Sequence, residues 1–233
     1  MKMDNRLVDL TLEGMGCQQL QIYAREIQEH FRQERRLRQD LEAAHQAVFE
    51  GCRLHIRSLA ATIEARNPYT GGHVDRVRDY GVQLARRLKL SEEEVENFKC
   101  AAELHDLGKL SIPDSILLKP GPLAPPEWAE MRRHPERGEE MVQHIPFLKG
   151  ALPIIRGHHE RHDGNGYPDG LMAEATPLGA RILAVVDAYD AMTTDRPYRL
   201  ALTHQEALKR LREGAGSQWD PTLVGVFLEI VAE

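Results

Sequence analysis

A single proline-free stretch, residues 18–63, constrains the fold more than any other part of the sequence. It contains one glycine, Gly51, and its apolar residues recur at steps of three and four. That spacing places them along one face of a long α-helix. The apolar residues are Leu20, Tyr23, Ile27, Phe31, Leu37, Leu41, Ala44, Val48, Cys52, Ile56, Leu59 and Ile63.

This apolar face is narrow, and arginine and glutamate occupy much of the remaining helix surface. A face of this kind either packs on the domain that follows or pairs with the same helix of a second chain. We favour a parallel coiled-coil homodimer over residues 18–48, because the following domain has enough apolar residues to fold by itself. The steps of four between Ala44 and Ile56 depart from a heptad, so the coiled coil is expected to end there.

The rest of the chain also carries helical signals, and no stretch shows the sustained apolar–polar alternation of a half-buried strand. The sequence therefore predicts an all-α fold, with an N-terminal helical segment (residues 1–50) followed by a helical-bundle domain (residues 51–233). Further helices are predicted over about 72–89, from a capping box at Ser91 to about 105, from Pro125 past His134, through 154–159, over 178–193, after a capping box at Thr203, and after Asp220.

Charge and cysteine content narrow the class of protein. The formal net charge is −6, which argues against a polymeric nucleic acid or an anionic membrane as the partner. No apolar stretch approaches the roughly 20 residues of a membrane span, and the N-terminus lacks the apolar core of a secretion signal. The three cysteines, Cys17, Cys52 and Cys100, form no CxxC pair. We therefore expect a cytoplasmic protein with reduced thiols, of which Cys100, with Cys52 as a second candidate, fills the core.

Histidines and aspartates gather at helix ends in a pattern that suggests metal ligands. His105-Asp106 and His158-His159 are adjacent pairs, and Asp187 interrupts a strongly apolar helix where an unpaired carboxylate would be costly to bury. Each feature alone is usually incidental, and Asp187 could pair with a basic residue instead. Together they supply five imidazoles and two carboxylates, enough for two divalent ions. The candidate ligands are His73, His105, Asp106, His134, His158, His159 and Asp187.

These residues lie in motifs that resemble a known family. His105-Asp106, with Lys109, resembles the signature of HD domains, which are helical metal-dependent phosphohydrolases. The stretch from His158 to Gly170, HHERHDGNGYPDG, resembles the defining motif of the HD-GYP subfamily. The segments YTGGH before His73 and DAYDAMT after Asp187 are similar to it too. The resemblance covers about residue 55 to the C-terminus and implies an HD-domain helical bundle that hydrolyses cyclic di-GMP.

The resemblance also implies roles for individual residues. One metal, iron or manganese, would bind His73, His105, Asp106 and Asp187, and a second would bind His134, His158 and His159, with Asp106 bridging. A hydroxide activated by the two metals would attack phosphorus. Lys109 would contact the scissile phosphate or protonate the leaving oxygen. Arg196 and Arg199 would grip phosphate, with loop solvation as the alternative, and Tyr167 would stack on guanine or simply pack. The glycine-rich loop would contact GGDEF-type proteins.

One position departs from the pattern of some family members. They carry a glutamate four residues before the first ligand histidine, which supports a third metal, whereas this chain has Tyr69. We therefore expect a two-metal site whose product is the linear dinucleotide pGpG, with slow release of GMP at most. Two alternatives stay open: hydrolysis of another cyclic dinucleotide, and a non-catalytic module that binds ligand or partner. The remaining histidines are expected not to be ligands: His30, His45, His55, His144, His162 and His204.

Overall fold

A computed structural model of the chain describes residues 16–66, 72–195 and 200–232. These ranges contain helices and isolated β-bridges but no strand, which confirms the predicted all-α fold. Three short 3₁₀ turns join the helices, at Leu107–Ser111, Pro146–Leu148 and Ala173–Ala175. The α-helices are α1 (Cys17–Arg66), α2 (His73–Arg87), α3 (Glu92–Leu104), α4 (Asp114–Leu117), α5 (Pro125–Met131), α6 (His134–Val142), α7 (Leu152–Gly157), α8 (Leu178–Thr193), α9 (His204–Gly214) and α10 (Pro221–Ile230).

The predicted long N-terminal helix is present as α1, and the contacts divide the chain into two units between Cys52 and Arg53. In the N-terminal unit the large apolar residues of the predicted face are exposed, with Phe31 64% and Leu41 70% accessible, whereas Cys52 is half-buried. No helix among the described residues, α1 included, combines the length and apolar character needed to cross a membrane.

The core of the second unit is built around α8. Its apolar sequence is explained by burial, since Ile182, Leu183, Val185 and Val186 are fully inaccessible. Helices α2, α7, α9 and α10 pack against it. Among the described residues the core also contains Cys100, as predicted, and the thiol of Cys100 is free.

Helix ends follow the predicted capping signals at three positions. The Ser91 backbone N–H donates to Glu94 Oε2 at 2.8 Å, and the Glu94 N–H donates to the Ser91 hydroxyl at 3.3 Å, which completes the capping box of α3. Thr203 and Asp220 accept from backbone N–H groups at the starts of α9 and α10. Each cap satisfies donors that the first turn of a helix leaves without an intrahelical partner.

Two predicted helices are shorter than expected. The helix from Pro125 does not run past His134, because α5 ends at Met131 and α6 starts at His134. Pro135 explains the break: its ring would collide with the carbonyl of the residue four positions earlier, which is Met131. The helix through Ile155 ends at Gly157, so His158 and His159 lie beyond its last turn. Both breaks leave carbonyl groups near the histidines without helical partners.

Candidate metal centre

The structure brings the candidate ligands together in two groups. The first donor group consists of His73, His105 and Asp187, whose donor atoms lie within 4.8 Å of one another. The second donor group consists of His134, His158 and His159, whose donor atoms have the same spacing. The imidazoles are buried except that of His159, which like Asp187 is partly exposed. Five helices or their ends contribute these residues, so the centre forms only when the fold is complete.

Asp106 lies between the two donor groups. Its Oδ2 is 3.6 Å from Nε2 of His105, and its Oδ1 is 3.5 Å from Nε2 of His134. Gly108 keeps this carboxylate close to α6, because a Cβ at that position would collide with the carbonyl oxygen of His134. One carboxylate therefore faces both groups, as a bridging ligand would.

Three of the imidazoles are oriented by carbonyl groups at helix ends. Nδ1 of His105 lies 2.9 Å from the Ala102 oxygen, and the same contact recurs at 2.8 Å for His134 with Met131 and at 2.7 Å for His158 with Ile155. Each acceptor is three residues earlier, in the last turn of α3, α5 or α7, where carbonyls lack helical donors. A proton on Nδ1 satisfies the carbonyl and leaves the lone pair of Nε2 pointing into the centre.

His73 is oriented differently, by a side chain. Its Nδ1 lies 2.7 Å from Oδ2 of Asp190, which is 2% exposed. The guanidinium of Arg76 donates to the same carboxylate, with Nη2 at 3.1 Å from Oδ2. Asp190 was not identified as a functional residue from the sequence. The available signal was its position three residues after Asp187, which puts both carboxylates on one face of α8.

The local electrostatics separate the two donor groups. Burial lowers the pKa of His134 to about 3, with a further contribution from the charge of Lys109. Burial and neighbouring imidazoles hold the pKa values of His158 and His159 well below the usual range. Burial opposes protonation of His73 as well, but Asp190 and Asp187 outweigh it and raise its pKa.

These observations fit a bound cation. Nε2 of His134 and Nε2 of His158 are 3.3 Å apart, although both rings use Nδ1 to donate to carbonyls. Two lone pairs then face each other in a buried space, an arrangement that a divalent ion between them relieves. Neutral imidazole and carboxylate are donors typical of iron, manganese and zinc.

Asp106 is held as an anion next to a cation. Burial raises the pKa of its carboxyl, but Lys109 and the surrounding imidazoles outweigh burial and bring the pKa well below its usual value. Nζ of Lys109 is 2.6 Å from Oδ2 of Asp106, and its side chain is 24% exposed. An ammonium group therefore lies at the edge of the donor groups, where solvent and a ligand can reach it.

The glycine-rich loop closes over the second donor group. The ring of Tyr167 lies 4.9 Å from that of His159, centroid to centroid, and burial raises the pKa of Tyr167, so its hydroxyl stays protonated. Glu160, 4% exposed, accepts backbone N–H groups of Asp169 at 2.7 Å and of Gly170 and Leu171 at 3.1 Å. The sequence motif contains Glu160, but its role as the anchor of this loop became visible only in three dimensions.

The remaining predictions concern Arg196, Arg199, Tyr69 and the histidines expected not to be ligands. Arg196, Arg199 and Tyr69 are outside the described residues. His204 hydrogen-bonds the Tyr189 hydroxyl through Nδ1 at 2.7 Å. Neither donor group contains any of the histidines that were predicted not to be ligands.

Comparison with known proteins identifies the family. A family model described as "HD domain" matches residues 57–223, which is most of the chain. The chain belongs to the HD domain family, whose members are metal-dependent, and the predicted HD-GYP resemblance is confirmed.

Individual relatives carry more specific names. The chain is 45% identical over 195 residues to the "Cyclic di-GMP phosphodiesterase response regulator RpfG" of Xanthomonas campestris. The matched region is 82% of this chain and 51% of that relative. It is 40% identical over 176 residues to a "3'3'-cGAMP-specific phosphodiesterase 2" of Vibrio cholerae, covering 75% of this chain and 34% of the relative. The chain thus spans about half the length of these curated relatives, or less.

Solved structures share the fold at low identity. Bd1817, an HD-GYP-type protein of Bdellovibrio bacteriovorus, matches with a TM-score of 0.57 at 22% identity, over 69% of this chain and 52% of that one. The PgpH HD domain of Listeria monocytogenes, solved with cyclic di-AMP, matches with a TM-score of 0.51 at 14% identity, over 73% of this chain and 91% of that one. These similarities establish the HD-type helical bundle.

Proposed function

We propose that this chain hydrolyses one phosphodiester bond of cyclic di-GMP to give linear pGpG, with two divalent metal ions, iron or manganese. The observation that carries the proposal is the pair of donor groups joined by the carboxylate of Asp106. The identity to proteins named cyclic di-GMP phosphodiesterases supports the substrate.

The donor set divides naturally between two ions. The first donor group with Asp106 would hold one ion, and the second donor group with Asp106 would hold the other. Divalent cations in such a site act as Lewis acids on water and on phosphoryl oxygens. The protein supplies the anion, the neutral imidazoles and the carbonyl contacts that fix their orientation.

Lys109 is proposed as the residue that acts on the leaving group. Hydrolysis to pGpG forms a bond from phosphorus to a water oxygen, breaks the bond from phosphorus to the 3′ oxygen, and requires a proton on that oxygen. The ammonium of Lys109 carries such a proton, and its contact with Asp106 holds it beside the two donor groups. It would also attract a phosphate oxygen.

Substrate contacts and the extent of hydrolysis complete the proposal. Tyr167 presents a protonated hydroxyl and an aromatic ring at the second donor group, and it would contact a base or a phosphate. Arg196 and Arg199 are proposed to bind phosphate. Tyr69, in place of a glutamate, leads us to expect two metals and pGpG as the main product.

The direct test is hydrolysis by protein purified without oxygen and loaded with iron or manganese. Cyclic di-GMP, pGpG and GMP are separated by chromatography, with Asp106→Ala as the inactive variant and Asp79→Ala, an exposed carboxylate paired with Arg78, as the matched control. We expect pGpG from the wild type and the control only. A folded, metal-loaded wild type that leaves cyclic di-GMP intact would refute the proposal.

A second cyclic dinucleotide is the main alternative substrate, because the relative at 40% identity is named for 3'3'-cGAMP. Comparing kcat/KM for cyclic di-GMP, 3'3'-cGAMP and cyclic di-AMP separates these substrates. A binding-only module, in contrast, would keep its affinity for ligand in Asp106→Ala and convert none of the three.

We further propose that residues 1–50 are an N-terminal segment, which dimerises as a coiled coil over residues 18–48, and that residues 51–233 are a catalytic domain. The exposed apolar residues of α1, including Ile27 and Phe31, support a coiled coil with a second copy. Sedimentation analysis should show a dimer that Phe31→Glu converts to a monomer, and a monomeric wild type would contradict it.

GGDEF-type proteins are proposed to bind the loop that contains Tyr167.

A further inference from the structure

A line of stacked side chains leads from the second donor group to the surface. Tyr167 lies over His159 with an interplanar angle of 31°. The guanidinium carbon of Arg132 lies 5.4 Å from the centroid of the Tyr167 ring, and 5.9 Å from that of Trp128. Tyr167 is thus the single ring between Arg132 and a member of the donor group. The order along the line is His159, Tyr167, Arg132 and Trp128.

Stabilisation of α5 does not account for this arrangement. Arg132 and Trp128 are four residues apart, a spacing at which side chains on one helix often meet. However, Arg132 makes a second contact with Tyr167, which comes from a distant loop. Trp128 is 48% exposed, so part of its ring is open to solvent and to a ligand.

Among the described residues, the guanidinium nitrogens of Arg132 have no carboxylate partner, in contrast to those of its neighbours. Arg133 and Arg137 both pair with Glu130, at 3.8 and 2.7 Å. Within the described part of the chain, the side chain of Arg132 has the two ring contacts but no carboxylate partner. Its planar face is held between rings while its N–H edge is left for a ligand.

We propose that Trp128 and Arg132 form a platform for a guanine base of the dinucleotide, with the base stacked on Trp128 and its O6 and N7 facing the guanidinium. The proposal rests on the proposed phosphodiesterase function and names the residues that would select its base. Arginine suits guanine because both atoms are acceptors, whereas adenine presents an amino donor in place of O6. Aromatic stacking binds either base and adds affinity.

Steady-state kinetics on the metal-loaded full chain test the platform. The variants are Trp128→Leu, Trp128→Phe and Arg132→Gln, with Arg133→Gln as the matched control, and the substrates are cyclic di-GMP, cyclic di-AMP and bis(p-nitrophenyl) phosphate, which has no base. We expect Trp128→Leu and Arg132→Gln to raise the KM for cyclic di-GMP about 10-fold. This increase in KM should be larger than any increase in KM for bis(p-nitrophenyl) phosphate. Trp128→Phe, which keeps an aromatic ring, should have a KM for cyclic di-GMP close to that of the wild type.

Selectivity is the second readout, because a merely structural role would not change it. Arg132→Gln should reduce the preference for cyclic di-GMP over cyclic di-AMP about 10-fold, whereas Trp128→Leu should weaken both. Equal losses on all three substrates, or losses in kcat alone, would overturn the platform.

Failure of the proposed function can be told apart from failure of the platform. If the wild type hydrolyses neither cyclic di-GMP nor bis(p-nitrophenyl) phosphate, the enzymatic proposal fails, and calorimetric titration with cyclic di-GMP decides the platform. A Kd at least about 5-fold weaker in Trp128→Leu and Arg132→Gln than in Arg133→Gln supports it. Equal Kd values, or no binding by the wild type, overturn it.

Discussion

The two donor groups have the same size and spacing but are held in place by different means. In the second donor group, His134 and His158 donate to main-chain carbonyls at the ends of short helices. In the first donor group, His73 depends on the side chain of Asp190, which Arg76 holds in turn. A carbonyl cannot be removed by substitution, whereas a carboxylate can. His73 therefore loses its support when Asp190 is substituted, whereas His105 of the same group, like His134 and His158, keeps a carbonyl acceptor.

The groups also differ in their affinity for protons. Nearby carboxylates raise the pKa of His73, whereas burial and positive neighbours lower the pKa values of all three histidines in the second group. Since a metal ion must displace any proton from its ligand, acid should compete more strongly at the first group. Asp106, which faces both groups, is the one residue whose loss should affect them equally.

Removal of a proposed metal ligand should have the largest effect. Because losing an outer hydrogen-bond partner of a ligand costs about 10–100-fold in activity or affinity, loss of a ligand itself should exceed about 100-fold in kcat/KM. We expect Asp187→Ala and His159→Ala each to lose one equivalent of metal, and Asp106→Asn to weaken both. Elemental analysis measures the metal bound per chain, and an activity assay on the same samples measures kcat/KM, with Asp79→Asn as the control. Two retained equivalents in Asp187→Ala would show that the groups are not separate sites.

Asp190→Asn tests whether the side-chain support matters in the first group. The amide keeps the size of the carboxylate but removes the negative charge next to His73 and Arg76. Metal affinity of the first group should fall about 10–100-fold, with the second group unaffected. Competition with a chromogenic chelator measures the affinity for each bound metal ion, so it distinguishes one ion bound more weakly from one bound as in the wild type. Equal weakening of both would mean that Asp190 acts through the whole fold.

The sequence predicted much of this architecture because its signals are local. Ser91 caps α3 as expected, and the strongly apolar run that follows Pro177 located α8 with both ends correct. The adjacent pairs His105-Asp106 and His158-His159 indicated the donor groups, although their role as ligands stays a proposal.

What the sequence did not predict depends on contacts between distant segments. The helix predicted past His134 was wrong, and its break is what frees the Met131 carbonyl to orient that histidine. Asp190 contacts His73 although the two residues are 117 positions apart in the sequence. Tyr167, in the glycine-rich loop, contacts Arg132 at the end of α5. Such partners leave no periodic signal, so the supports of the site could not be read from spacing alone.

Glu160→Gln tests how far a side-chain carboxylate stabilises the loop that carries Tyr167, next to the second donor group. The carboxylate accepts three backbone N–H groups through both oxygens. An amide keeps one oxygen and turns an NH₂ group toward a donor, so the free energy of unfolding should fall by about 2 kcal/mol. Urea denaturation measures the change, with Glu174→Gln as an exposed control. An unchanged midpoint would mean that the loop does not depend on Glu160.

The smallest expected effect is the pH dependence of the metal-free protein, and its sign differs between the groups. Below pH 6.5 the unfolded chain protonates its histidines, while folded His134 resists protonation down to a pKa of about 3. His134 therefore costs stability as pH falls, by up to about 1.4 kcal/mol per pH unit. Folded His73, whose pKa is raised, contributes stability below pH 6.5 that is lost as pH rises through that pKa.

Substitution of each histidine should reveal these opposite signs. In urea denaturation with chelator at pH 8, 6.5 and 5, His134→Asn should lessen the loss of stability between pH 6.5 and 5. His73→Asn should remove a gain of stability between pH 8 and 6.5. If the free energy of unfolding of the two variants depended on pH in the same way, His134 and His73 would have the same proton affinity. The contrast between His73, supported by the carboxylate of Asp190, and His134, supported by a main-chain carbonyl, would then be geometric only.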